Sequence, residues 1–145
     1  MGESLIRHAA PGDSPALARL LVQLGYEVTA DEVAARLPQM TEEGRAVFVA
    51  ERDGRVVGCL STSLMRVIHR PAPVGRISMM VVEDRMRGLG IGAELVAAAE
   101  RHLLDAGCQV IEVTSALARE RAHAFYEKVG YEKTSVRLSR ELGRE

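Results

Sequence analysis

The apolar stretch Met80-Val81-Val82 runs through Glu83-Asp84-Arg85-Met86 into Arg87-Gly88-Leu89-Gly90-Ile91-Gly92, and from there into a helical pattern of apolar residues. A strand that enters a glycine-rich turn and leaves it as a helix can take few backbone paths. The first amides of the helix, near Ile91, have no carbonyl one turn back to bond, and glycines let another group come close to them. Such a turn is suited to a phosphate or pyrophosphate, with Arg87 supplying a cation beside it.

Several ligands use turns of this kind. A nucleoside triphosphate loop needs G-x-x-x-x-G-K-[ST], and no Lys-Ser or Lys-Thr follows a glycine here. Gly88-x-Gly90-x-x-Ala93 formally satisfies the dinucleotide pattern G-x-G-x-x-G/A. The chain has room for only one strand-helix-strand unit around it, however, and Arg85 and Arg87 precede the glycines. A bare turn that closes a helix onto a strand is the ligand-free alternative.

The phrase Arg87-x-x-Gly90-x-Gly92 resembles the Arg/Gln-x-x-Gly-x-Gly/Ala signature of the GNAT superfamily of acetyl-CoA-dependent N-acetyltransferases. A second block, Ala122-His123-Ala124-Phe125-Tyr126-Glu127-Lys128-Val129-Gly130-Tyr131, resembles that family's C-terminal helix, A-x-x-[FL]-Y-E-K-x-G-[FY]. The two motifs stand in the family's order and cover the second half of the chain. The first half matches only in its pattern of elements.

A length of 145 residues suits one domain, taken as 1–145. With 47% hydrophobic and 27% charged residues the chain has enough apolar material for a core. A net charge of −1, with the arginines scattered, speaks against nucleic acid as the partner. No apolar run approaches the roughly 18 residues of a membrane span, and Met1-Gly2-Glu3-Ser4 does not open a secretory signal, so the cytoplasm is the expected location. Cys59 and Cys108 read as reduced thiols in or near the core.

Residues Ser4 to His8 form the first expected strand. A helix follows, capped by Asp13 or Ser14, with Leu17, Leu20, Leu21 and Leu24 on one face, and then a shorter helix from Asp31 to Leu37. Asp53-Gly54 joins strands 46–51 and 56–67 as a hairpin. Arg76 to Val82 is the next strand, Ile91 to Ala106 the helix, Val110 to Thr114 a strand, Glu120 to Val129 the last helix and Thr134 to Leu138 a closing strand. The expected class is α+β: a mixed, mostly antiparallel twisted sheet of about six strands with helices on both faces, in the order β-α-α-β-β-β-α-β-α-β. The family shows the same order.

The resemblance implies roles for particular residues. The backbone of Met80, Val81 and Val82 would bind the pantetheine arm and polarise the thioester carbonyl, and Arg87, Gly88, Leu89, Gly90, Ile91 and Gly92 would hold the diphosphate. Tyr126 is the expected general acid for the leaving thiolate. Glu112, a charge in the apolar strand Val110-Ile111-Glu112-Val113, is the candidate base, with water as the alternative. Arg119 stands where many relatives carry Asn and is a candidate for a cofactor phosphate. The implied activity is transfer of an acetyl group from acetyl-CoA to a primary amine of a small molecule or peptide, without a metal, by a protein expected to pair as a homodimer. A non-catalytic acyl-CoA-binding module of the same fold is the alternative.

Overall fold

The computed structural model describes residues 4–42, 44–114 and 120–143. The chain divides into two compact units, residues 1–113 and 114–145. In the first unit the elements are β1 (Leu5–His8), α1 (Ser14–Leu24), α2 (Ala30–Arg36), β2 (Ala46–Arg52), β3 (Arg55–Met65), β4 (Val74–Val82), α3 (Ile91–Asp105) and β5 (Val110–Val113). The second unit contains α4 (Glu120–Lys128).

The five strands lie in sequence order, β1-β2-β3-β4-β5. The first three pairings are antiparallel and β4-β5 is parallel, since α3 carries the chain back before β5 begins. The β2-β3 hairpin turns on Asp53 and Gly54, both with positive φ (53° and 77°), the geometry that matches the twist of the flanking strands.

Helices cover both faces of the sheet. The α1 residues Leu17, Ala18 and Leu20 and Val33 of α2 form a core cluster with Val49, Val56, Cys59 and Val81 on one face. On the other face, Ile91, Leu95, Ala99 and Leu103 recur every four residues along α3 and are all fully buried. Each such leucine or isoleucine contributes about 2 kcal/mol. Gly58 on β3 admits this helix: a Cβ there would stand 3.3 Å from Leu95 Cδ1 and from the Val81 carbonyl, and 3.4 Å from Ile91 Cγ2. The first turn of α3 therefore rests directly on the sheet.

Asp13, expected as a cap of α1, makes no capping hydrogen bond to that helix. Its carboxylate instead accepts from the Ala10 amide (2.7 Å) and from Arg7 (2.8 and 3.1 Å), which hold its carboxyl below the usual range. Both cysteines are free and buried. No helix among the described residues is long and apolar enough to cross a membrane.

One expected element is missing. Thr134 to Leu138 has no regular secondary structure, and Val136 and Leu138 are 78% and 90% exposed. The alternation of that segment suits a strand, but a strand needs a hydrogen-bonded neighbour. Among its described residues the second unit contains none, so the described sheet has five strands where about six were expected.

Candidate active site

The glycine turn joins β4 to α3 through a short 3-10 helix at Asp84–Met86. Gly88 and Gly90 have φ of +81° and +85°, a left-handed conformation that costs other residues about 1–2 kcal/mol. Space around both is open: a Cβ on either would meet nothing within 4 Å. The Arg87 amide reaches the Asp84 carbonyl at 3.4 Å, and the next described backbone donor is Glu94, bonded to Gly90 at 3.1 Å. Between them the amides of residues 88–93 have no described acceptor, and the helix cap, Gly90, has no side chain to supply one. Arg87 Nη2 pairs with Asp84 Oδ1 at 3.0 Å, with 43% and 68% of the two side chains exposed. Exposed pairs of this kind contribute about 0–1 kcal/mol, so a more highly charged phosphate can displace the carboxylate.

Residues distant in sequence support the turn. Gln23 of α1 donates to the Val82 carbonyl (2.9 Å) and accepts from the Asp84 amide (3.2 Å), which ties the end of β4 to the helix. One turn earlier on α1, Arg19 donates to the Val56 carbonyl at 3.0 Å. Glu83, the residue after β4, is buried. Arg55 Nη1 lies 2.9 and 3.0 Å from its two carboxylate oxygens, Arg85 Nη2 3.1 Å away and Arg19 Nη2 3.9 Å away. Desolvation raises the Glu83 carboxyl, but the hydrogen bonds from Arg55 and Arg85 outweigh it and the net shift is downward from 4.5. Its contribution to stability is therefore complete at neutral pH and is lost as pH falls through the lowered value. Glu83→Gln is expected to cost about 1 kcal/mol, discounted for the exposed arginines, and to lower Tm by a few degrees. By loosening the turn it should also raise KM for the acyl-CoA several-fold with little change in kcat, as steady-state kinetics would read.

Along β4 the pairing changes at Ser78. Ser61 pairs with Met79 and Thr62 with Ile77, so Ser78 bulges out of the ladder. On its other side, β4 pairs with β5 only from Val74↔Val110 to Ile77↔Val113. Ser78 to Val82 thus has no strand neighbour on that side among the described residues, and the fork is this point, where the β4-β5 pairing ends. Val81 is in the core, Met80 and Val82 are half-buried, and what they offer a ligand is backbone. An extended chain bearing amides could add along this edge as an extra strand would.

Glu112 sits on β5 as the partner of Arg76, the last pair but one before the fork. Its side chain is 44% exposed and its Oε1 accepts from Arg76 Nη2 at 3.1 Å. Tyr126 lies in the second unit on α4, buried, with its ring edge-on to Phe125 (centroids 5.2 Å apart) and Tyr131 (5.9 Å). Burial pushes its phenol up to about 12. Arg119 lies outside the described residues. The structure therefore brings the backbone of 80–82, the turn 87–92 and Glu112 into the first unit and sets Tyr126 in the second.

A half-open β4 beside a parallel strand, with unpaired amides at the head of the following helix, is suited to an extended ligand that ends in a phosphate. The profile of the acetyltransferase (GNAT) family matches residues 16–131, and the chain belongs to that family. It is accordingly an enzyme, an N-acetyltransferase that acts on amines with an acyl-CoA cosubstrate. It is 32% identical over 142 residues to an aminoalkylphosphonate N-acetyltransferase of Salmonella typhimurium, covering 94% of this chain and 90% of the relative. It is 33% identical over 134 residues to an aminoglycoside N(6')-acetyltransferase type 1 of Stenotrophomonas maltophilia, covering 89% and 86%. The fold is similar to that of an aminoglycoside N-acetyltransferase solved in complex with CoA, with a TM-score of 0.86 and 20% identity over 97% of this chain and 96% of the other.

Proposed function

We propose that the protein transfers the acetyl group of acetyl-CoA to the primary amine of a small molecule. The observation that carries this reading is the run of acceptor-free amides at residues 88–93, next to the open edge of β4. The amides and Arg87 would bind the diphosphate, and the edge at Met80, Val81 and Val82 the pantetheine arm. Arg119 is assigned to a cofactor phosphate on the motif alone.

In the reaction, Glu112 or a water takes one proton from the acceptor ammonium and leaves a free amine. Its nitrogen attacks the thioester carbon, the carbonyl oxygen becomes an oxyanion held by a β4 amide, and the carbon–sulfur bond then breaks. Tyr126 gives its proton to the departing sulfur and recovers one from the nitrogen, so the products are the amide and free CoA thiol.

The named relatives favour small amines over protein termini as acceptors, with an aminoalkylphosphonate or an aminoglycoside as the leading types; a peptide amine is the remaining option. The family match runs across both units, which supports reading them as one catalytic domain. Two buried free thiols suit a reducing compartment, the cytoplasm, and exposed Val136, Leu138 and Leu142 are in keeping with a homodimer.

The test mixes the purified protein with acetyl-CoA and, in turn, an aminoalkylphosphonate, an aminoglycoside, a polyamine, an amino acid and a short peptide. Release of free thiol with an acetylated product from a small amine is expected. Thiol release with none of them overturns the proposal.

A further inference from the structure

We infer that Arg76 and Glu112 together select an acceptor that carries both an ammonium and an anionic group, a short-chain aminophosphonate or amino acid. This rests on the acetyl-transfer reading above. Gly75 faces α3, where a Cβ would meet Leu103 and Cys108, so strand alternation turns Arg76 to the opposite face of the sheet. Ser63 and Glu112 are its cross-strand partners on either side, and partners share a face. Ser78, the bulged residue, reaches Ser63 with its hydroxyl at 3.3 Å. These side chains make a polar row beside the fork in the sheet, where the thioester would end. All four are half-buried or exposed, in contrast to the apolar cluster under α1 and α2.

The row is incompletely satisfied. Among the described residues Arg76 donates to Glu112 Oε1 through one of its five N–H groups, and its Nε is buried without a partner. An amine that also bears a phosphonate or carboxylate exchanges like for like: its ammonium takes the place of the guanidinium on Glu112, and its anion replaces the carboxylate on Arg76. Neither protein charge is left alone. A polycation satisfies Glu112 but sets Arg76 against another positive charge, and a simple alkylammonium, with no anion of its own, takes Glu112 and leaves Arg76 without its carboxylate. The fork therefore favours zwitterions, and the distance between the two charges on the ligand must be short.

The test compares kcat/KM for an aminoalkylphosphonate, an alpha-amino acid, the alkylamine of equal chain length and a polyamine, in the unmodified protein and in Arg76→Gln and Arg76→Lys. CoA binding is measured by calorimetry on each protein as the check on folding. The unmodified protein should prefer the zwitterions over the alkylamine by about 10- to 100-fold, the range of a charged hydrogen-bonded contact. In Arg76→Gln that preference should fall to within about three-fold, and Arg76→Lys should recover part of it, because a point cation keeps the charge and loses the fork. The phosphonate and carboxylate arms tell which anion fits. Turnover of the alkylamine or polyamine in preference to both zwitterions, or a preference unchanged in Arg76→Gln with CoA binding intact, overturns the inference and leaves acetyl transfer standing. No turnover of any amine removes both.

Discussion

Tyr126→Phe is expected to lower kcat for acetyl transfer by about 10²- to 10⁴-fold, the range of a general acid, while CoA affinity stays within about three-fold. The phenol is pushed up to about 12 by burial, so it carries its proton at every pH at which the protein is assayed. The same shift makes it a weak donor toward a thiol near ~8.5. In the proposed mechanism the acceptor nitrogen would complete the step, since it becomes strongly acidic once bonded to the carbonyl carbon and can reload the phenolate. The pH profile of kcat should therefore show no falling limb from Tyr126 below about pH 11. A limb near pH 9 to 10 that vanishes in the phenylalanine variant would contradict the buried state. Stability has the same sign: the unfolded tyrosine ionises near 10, so what the neutral phenol contributes is intact below that and is lost as pH rises through about 12. Retention of full kcat by Tyr126→Phe would remove the residue from the mechanism and leave the proton to water.

Gly90→Val should raise the Kd for CoA by about 100-fold, as expected for losing charged hydrogen bonds to a phosphate. Valine is strained at the φ of +85° found there and should cost about 1–2 kcal/mol of stability. A Cβ at this position meets no protein atom within 4 Å, so the fold should survive, but the side chain would stand where the phosphate must come near the amides. The hairpin supplies the control. Gly54 has a φ of +77° and equally open surroundings, and Gly54→Val should cost comparable stability with CoA affinity unchanged. Equal losses of CoA affinity in both variants, or no loss at Gly90, would show that the turn does not hold the diphosphate.

Much of the frame was legible because it depends on residues close together in the chain. The Asp53-Gly54 hairpin, the four-residue repeat of Ile91, Leu95, Ala99 and Leu103, and the change from strand to glycine turn to helix are all short-range patterns, and backbone sterics enforce them. The family signature at Arg87 to Gly92 belongs with them, since a glycine turn is made almost entirely of its own backbone. Gln23 gave no comparable signal. It sits four residues from Arg19 on an otherwise ordinary helix, and its partners are a carbonyl and an amide about sixty positions away.

Local conformation and spacing are enough to fix where the chain turns, which faces are apolar and where a glycine turn precedes a helix. Folding is what makes Glu83 a buried meeting point for Arg19, Arg55 and Arg85, sets Arg76 beside Glu112 at the fork, and leaves Thr134 to Leu138 without strand structure. Charge pairing and strand pairing both need a partner at a set distance. No local pattern says where the folded chain will put one.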